Sequence, residues 1–577
     1  MSCRGTNLSP SERLTGAGTS RSPRRRRRGW RLEMETLKRV FSRRTLRRGS
    51  SILSTSDNVQ DEPKPEEALP LQLNHMPEKE PAQKEQEEQE EQETVPCRNL
   101  SELLQMRPGS DVNTSVDGVP CLECTDSNSE QQNQNQGGNC LVQLYVSQQF
   151  PEPPENQNLH QHLQNIQTTV LNELTGLSPV LDERLMGHLI NCYHRQTFNQ
   201  MHRLLQNISS TQNHFVLMMW VLKTYLSQEL LGHPDLQKVD PIKNIDLLLF
   251  TEWEAKARDK LLQSVHEEVS DSLENILLNE KTHEQCNSEE DYVRVFVDTI
   301  QCIKAVHKAA QQISSKLSDD VQNVCFQQLL VFVKRYSDEQ TEGLGKKAAM
   351  PEPETIQFLK TLKTCKELKL HVQVEAAGAS YSGKIVETLD KLEVFTLNLL
   401  LDIVDKMAEA NLSTYFKSDS KCFSLLPAVQ KRFPKQCYGA DEQKRVLNKA
   451  YKLIVQIYVK HLIKTNKRQL ESCWNPDVSK TIGEDAHGIH SIMSELAPDV
   501  PQQNQLLLKV KELLDCECNE ALKLTAATIQ KDFGKDPELL PALLKWKGLP
   551  KGQVREVLET IQHDYHHQSG CSPIKCW

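Results

Sequence analysis

From residue 166 to residue 566 this chain repeats one pattern with only brief interruptions: apolar side chains return every three or four positions. That spacing puts them on one face of a helix, whereas a half-buried strand would alternate apolar and polar residues. Cys325, Leu329, Phe332 and Tyr336 make one stripe, and Ile385, Leu389, Leu392, Leu399 and Ile403 make a second. Leu447, Tyr451, Ile454, Tyr458 and Leu462 make a third, with Asp441 as the expected N-cap. Val554, Val557, Leu558 and Ile561 follow Gly548-Leu549-Pro550, which reads as a stop and a restart. Alternation of the strand type is confined to a short candidate at His371–Glu375. The expected fold class is therefore all-α, an elongated rod of stacked helical bundles with a long disordered N-terminal region. No strict heptad persists long enough for a coiled coil.

The preceding residues have another character. Residues 51–165 are rich in Pro, Gln, Glu, Ser and Asn, as in Glu78–Thr94 and Ser127–Asn139. Such stretches bury too little apolar surface to offset the entropy of ordering them. The expected organisation is a basic arm at 1–50, a disordered acidic and polar linker at 51–165, a helical body at 166–566 and a flexible tail at 567–577. A hydrophobic fraction of 37% for the whole chain fits a protein that is only partly globular.

Charge divides along the same lines. Residues 1–48 carry 15 Lys and Arg against 3 Glu, a formal +12, and the remainder carries 54 against 75, a formal −21. A basic arm on an acidic body points the arm toward an anionic surface. Arg24, Arg25, Arg26, Arg27 and Arg28 open the run. On a helical wheel Trp30, Met34, Leu37 and Phe41 then share one face, while Lys38, Arg39, Arg43, Arg44, Arg47 and Arg48 fill much of the rest. A helix of this kind lies in a membrane interface with its cations over anionic phospholipid headgroups. Each nearby cation contributes about 1 kcal/mol at an anionic leaflet.

Ser42, Thr45 and Ser50 sit among these arginines in patterns that suit basophilic kinases. A phosphate carries about −1.5 to −2 charges and would weaken the arm's hold on lipid. The same arginines fit a nuclear-import signal or an RNA-binding tail. The helical spacing of the aromatic residues, which is not that of a stacking platform, makes nucleic acid the lesser expectation.

Other function classes find little support. The 17 cysteines are scattered and odd in number, as expected of reduced thiols in the cytosol. No apolar h-region follows the polyarginine run, so no secretory signal is expected. The longest apolar run, Phe215 to Leu222, has eight residues, where a membrane span needs about 20. Ser2 and the penultimate Cys576 fit no lipid-anchor pattern.

Gly343-Leu-Gly-Lys-Lys347 lacks the hydroxyl and the spacing of a phosphate loop, and Gly378-Ala-Ser-Tyr-Ser382 lacks the second glycine of a nucleophile elbow. Cys121-Leu-Glu-Cys124, with Cys97 and Cys140, lacks the second tight pair of a zinc site. His487 and His490 have no carboxylate or thiol beside them, and His233 ends a helix. His563, His566 and His567 lie in a polar tail. Cys516 and Cys518 are expected on a helix, one in the core and one at the surface. The reading is a non-enzyme with no cofactor and no resident metal.

Three segments carry a family resemblance: Trp220–Leu236, read as a helix ending at Gly232 before Pro234; Ala450–Ile463, with its two tyrosines; and Leu540–Leu549, followed by the helix of Val554–Leu558. Over residues 170–566 the chain resembles the exocyst complex component 3 family, most nearly its component 3-like paralogues. Tumour necrosis factor alpha-induced protein 2, or M-Sec, belongs to that family. The resemblance implies a role in vesicle tethering and exocytosis, with SNARE proteins, exocyst subunits and Ral-type small GTPases as partners. It implies a cytoplasmic protein, peripheral at the inner face of the plasma membrane or on vesicles. A membrane-protrusion or signalling scaffold of the M-Sec kind is the alternative.

Overall fold

The structure is a computed structural model that describes residues 130–152, 158–282, 288–375, 380–417, 423–435, 438–474, 477–533 and 536–569, with side chains from 139 to 561. The arm residues Arg24 to Arg48, the serines and threonine among them, and the Cys121–Cys124 pair lie outside the described residues. Among the described residues every regular element is helical and none is a strand. None of these helices is long and apolar enough to cross a membrane. The chain forms two compact units, one ending at Ala257 and one beginning at Arg258.

In the first unit α1 (Glu130–Gln149) and α2 (Leu159–Leu177) pack on α3 (Glu183–Asn207), and α4 (Thr211–Met219) leans on α2 and α3. Two starts are sharp because a side chain accepts the free amide of the first turn: Asp182 from Leu185 N, and Ser210 from Asn213 N. Two elements differ from the sequence expectation. Helix α1 lies wholly within the segment read as linker, and α2 begins there. Their polar composition conceals an apolar face of Val142, Tyr145, Val146, Leu163 and Val170, all buried. Nor is Trp220–Leu236 a helix to Gly232. It is a π-helical turn at Trp220–Tyr225, then tight turns and a 3-10 helix at Pro234–Leu236 that His233 caps through its ring.

The chain continues through α5 (Leu247–Thr282). In the second unit α6 (Glu289–Ile313), α7 (Ser315–Ala348), α8 (Ile356–Glu375) and α9 (Ser382–Tyr415) form a four-helix ring in which α6 packs on α7, α7 on α9, α9 on α8 and α8 back on α6. Cys325, Leu329, Phe332, Tyr336, Ile385, Leu389, Leu392 and Ile403 are buried as their spacing requires, and Leu399 is half-buried. Burial of each large side chain contributes about 1.5–3 kcal/mol.

Ties between α5 and α7 fall at Arg258–Asp320, His266–Gln328, Glu274–Arg335 and Lys281–Glu339. Both numbers rise together, so the two helices run parallel, and α6 is the stretch of chain that joins them. Most of these ties are half-exposed, and such pairs contribute under about 1 kcal/mol each; the apolar stripes hold the unit. His371–Glu375, the strand candidate, is the last turn of α8. No breaker separates it from Leu368, and Val372 continues that buried stripe.

Helix α9 also packs against α11 (Ala440–Lys464), and α10 (Leu425–Arg432) rests on α9. Beyond come α12 (Lys467–Cys473), α13 (Val478–Leu496), α14 (Gln505–Asp515), α15 (Asn519–Phe533), α16 (Leu539–Lys547) and α17 (Lys551–Ser569). The cap of α11 is Gly439, at φ 75°, with Asp441 in the first turn, where its charge favours the helix dipole. A Cβ on Gly439 would come within 2.6 Å of the Tyr292 hydroxyl, so this glycine, two residues before the expected cap, is the one that fixes the turn. Cys516 and Cys518 sit in the α14–α15 connection and not on a helix; the first is half-buried and the second exposed.

Candidate functional site

The three segments that carry the family resemblance turn out to be the places where polar side chains lock helices together. In the first unit the π-helical turn delivers Tyr225 inward, where its hydroxyl meets His194 Nδ1 at 2.9 Å; His194 Nε2 contacts the Asp246 carbonyl oxygen at 2.9 Å. Phe198, Phe250 and Trp253 pack edge-on around this pair. Burial pushes the imidazole below its ordinary range and the phenol above its own. A neutral imidazole with both nitrogens engaged is an interior strut, with no free nitrogen for a ligand.

The third segment closes the far end of the second unit. Trp546 Nε1 donates to the Thr465 carbonyl oxygen at 2.7 Å. Lys547 Nζ donates to the carbonyl oxygens of Leu513, Leu514 and Cys516, each at 2.9 Å. Helix α14 ends with carbonyls that have no partner inside the helix, and the ammonium takes them up. Gly548, at φ 102°, then terminates α16 directly after the latch.

The second segment leads to the site with the least ordinary electrostatics. Its two tyrosines have different jobs. Tyr451 stacks on His490 with ring centroids 6.1 Å apart. Tyr458 donates to Asp485 Oδ2 at 2.6 Å, and Tyr415, at the end of α9, donates to the same oxygen at 2.9 Å. Asp485 on α13 is only 8% exposed. Phe416, Phe423 and Trp474 wrap the tyrosine pair with centroid separations of 4.7–6.2 Å. Burial outweighs the two hydrogen bonds and lifts the Asp485 carboxyl to about 6. No cation forms an ion pair with it among the described residues. Sequence reading passed over this residue although a signal existed. An acid stands on the apolar face of α13, three residues after Ile482 and four before Ile489.

Other carboxylates of the second unit, by contrast, are met by cations. Glu409 takes Lys460 Nζ and His461 Nε2 at 2.6 Å each and is held below the usual range. Glu393 gathers Lys369 and Arg445. Glu280 and Lys360 form a buried pair at 2.7 Å.

Among the described residues no three His, Cys, Asp or Glu side chains come together as metal ligands, and the eight described cysteines are free thiols. The Cys325 and Cys365 thiols are buried and pushed up to about 12, which makes them inert. A recess of about 730 Å³ opens along α9 near Val386, Val394 and Phe395. The tyrosine–aspartate cluster is buried. It can hold or release a proton, and it offers no room for a substrate.

No protein-family model matches the chain. Among solved structures, the crystal structure of M-Sec superposes with a TM-score of 0.56 over 76% of this chain and 79% of that one, at 15% sequence identity. At that identity the likeness is one of fold alone: this chain and M-Sec share a helical architecture.

Proposed function

We propose that this chain is a non-enzymatic adaptor that ties an anionic membrane to protein partners in vesicle exocytosis. The observation that carries the reading is the division of charge, +12 in residues 1–48 against −21 in the rest, on a chain whose body has the fold of M-Sec. The arm from Arg24 to Arg48 grips lipid phosphates, with Trp30 and Phe41 in the acyl boundary. The helical body offers surfaces to SNARE proteins, exocyst subunits or Ral-type small GTPases. The segment between them sets their effective concentration at the membrane. On this reading the protein works at the cytoplasmic face of the plasma membrane or on vesicles.

The test is sedimentation with vesicles containing anionic phospholipid. Neutralising Arg24–Arg28 together with Lys38, Arg39, Arg43, Arg44, Arg47 and Arg48 removes eleven cations. The bound fraction should fall at least tenfold, given about 1 kcal/mol per cation and only half of them in contact. Undiminished binding would take the arm out of the mechanism. Recovery of neither SNAREs nor exocyst subunits in a lysate pull-down would turn the reading toward a protrusion or signalling scaffold. The five consecutive arginines also fit nuclear import, and nuclear accumulation of a fluorescent fusion would favour that second reading.

A further inference from the structure

We infer that Asp485, with Tyr415 and Tyr458, is a proton-sensitive joint: ionised near neutral pH, it leaves the α9–α11–α13 junction looser, and mild acidification tightens it. Three helices meet at one oxygen, the two hydroxyls arriving at 2.6 and 2.9 Å from α11 and α9. The charged groups on every neighbouring element are directed elsewhere. On α13 itself Glu484, beside Asp485, disfavours the charge and reaches Lys480 at 4.0 Å. On α9 and α11 Glu409 is held by Lys460 and His461, and the His461 ring stacks on Phe416. On α14 Lys511 lies over Gly483 and pairs with Asp515 at 2.7 Å. On α10, which also packs on α13, Lys431 pairs with Glu352 at 2.7 Å and Arg432 donates to the carbonyl oxygens of Pro351 and Pro353. The residue that closes α12, Trp474, is uncharged. Among the described residues the carboxylate thus has two hydroxyl donors, both on Oδ2, and no cation. Two neutral hydrogen bonds offset only part of the cost of burying a charge.

The folded carboxyl titrates at about 6 and an ordinary one at 3.8, so the folded state binds the proton more tightly. Stability then rises as pH falls through 6, and the full gain is present below 3.8. The change in the opening equilibrium is roughly fourfold from pH 7.5 to 5.5, about 30-fold by pH 4.5, and on the order of 100-fold in all. Buried His371 has a lowered value and works in the opposite sense, so the effect must be read as a difference between proteins. The cation-paired acids Glu393, Glu409 and Asp515 have lowered values and lose their contribution only at still lower pH.

The test is amide hydrogen exchange of the full chain at pH 7.5, 5.5 and 4.5, corrected for intrinsic rates, on peptides spanning 450–462 and 482–493. Protection in the wild type should climb on acidification. Asp485→Asn should be better protected at pH 7.5 and should lose the climb relative to the wild type. Tyr458→Phe removes one donor from the charged form, so its climb should be steeper. An Asp485→Asn protein that keeps the wild-type slope overturns the proposal. Should that variant fail to fold, a Tyr458→Phe slope equal to that of the wild type overturns it equally.

Discussion

At Gly439 a single hydrogen in place of a side chain decides how two distant helices meet. The residue has φ 75°, and a Cβ there would press on Tyr292, whose hydroxyl donates to the Leu359 carbonyl oxygen at 3.2 Å. Gly439→Ala should cost about 1–3 kcal/mol, from the left-handed backbone and the collision together. Tyr292→Phe removes the atom nearest the clash. The double variant should therefore be less destabilised than the sum of the two single changes, as measured by urea unfolding of the full chain. Strict additivity would mean that the backbone alone is responsible. A positive φ at glycine leaves no trace in apolar spacing, which is why Asp441, a good capping residue, drew the reading two positions too far. Asp485 was legible as an acid on an apolar stripe. Its meaning was not, because Tyr415 lies 70 residues away.

At the scale of whole helices, spacing carried the architecture. The four stripes became buried faces because a 3.6-residue period leaves an amphipathic helix no other way to remove them from water. The exceptions have local causes. Helix α1 hides Val142, Tyr145 and Val146 among Gln and Asn, so composition argued against it while the packed face won. The π-helical turn at Trp220–Tyr225 depends on the long-range Tyr225–His194 contact, which no local window contains. His371–Glu375 alternated for a few residues only as the end of α8. Between elements, the Glu280–Lys360 pair joins α5 to α8 with Lys360 only 3% exposed. Burial raises the Glu280 carboxyl even though Lys360 pulls it down, so the pair is held with little to spare. Glu280→Gln should destabilise the second unit by about 3–5 kcal/mol, because it leaves a buried ammonium uncompensated. Glu280→Met with Lys360→Met should restore most of that in thermal unfolding. A double variant as unstable as the single one would rule out the unpaired ammonium as the cause.

For the molecule as a whole, the physics is that of unlike charges on one chain. The described helices carry the fold; the proposed membrane contact belongs to residues that precede them. Screening shortens the reach of exposed charge from about 10 Å at 0.1 M salt to about 3 Å at 1 M. Association with anionic vesicles should thus collapse with added salt while far-ultraviolet circular dichroism of the helices stays constant. Binding that persists at about 1 M salt would make apolar insertion of Trp30 and Phe41 the main source of affinity.

The Lys547 latch also imposes an order on synthesis. The carbonyls of Leu513, Leu514 and Cys516 are made 31–34 residues before the ammonium that receives them, and Thr465 waits 81 residues for Trp546. A nascent chain therefore carries the end of α14 wet and unfastened until α16 has left the ribosome. Translation halted within that interval would leave a protein whose earlier helices are paired and whose distal end stands open to chaperones.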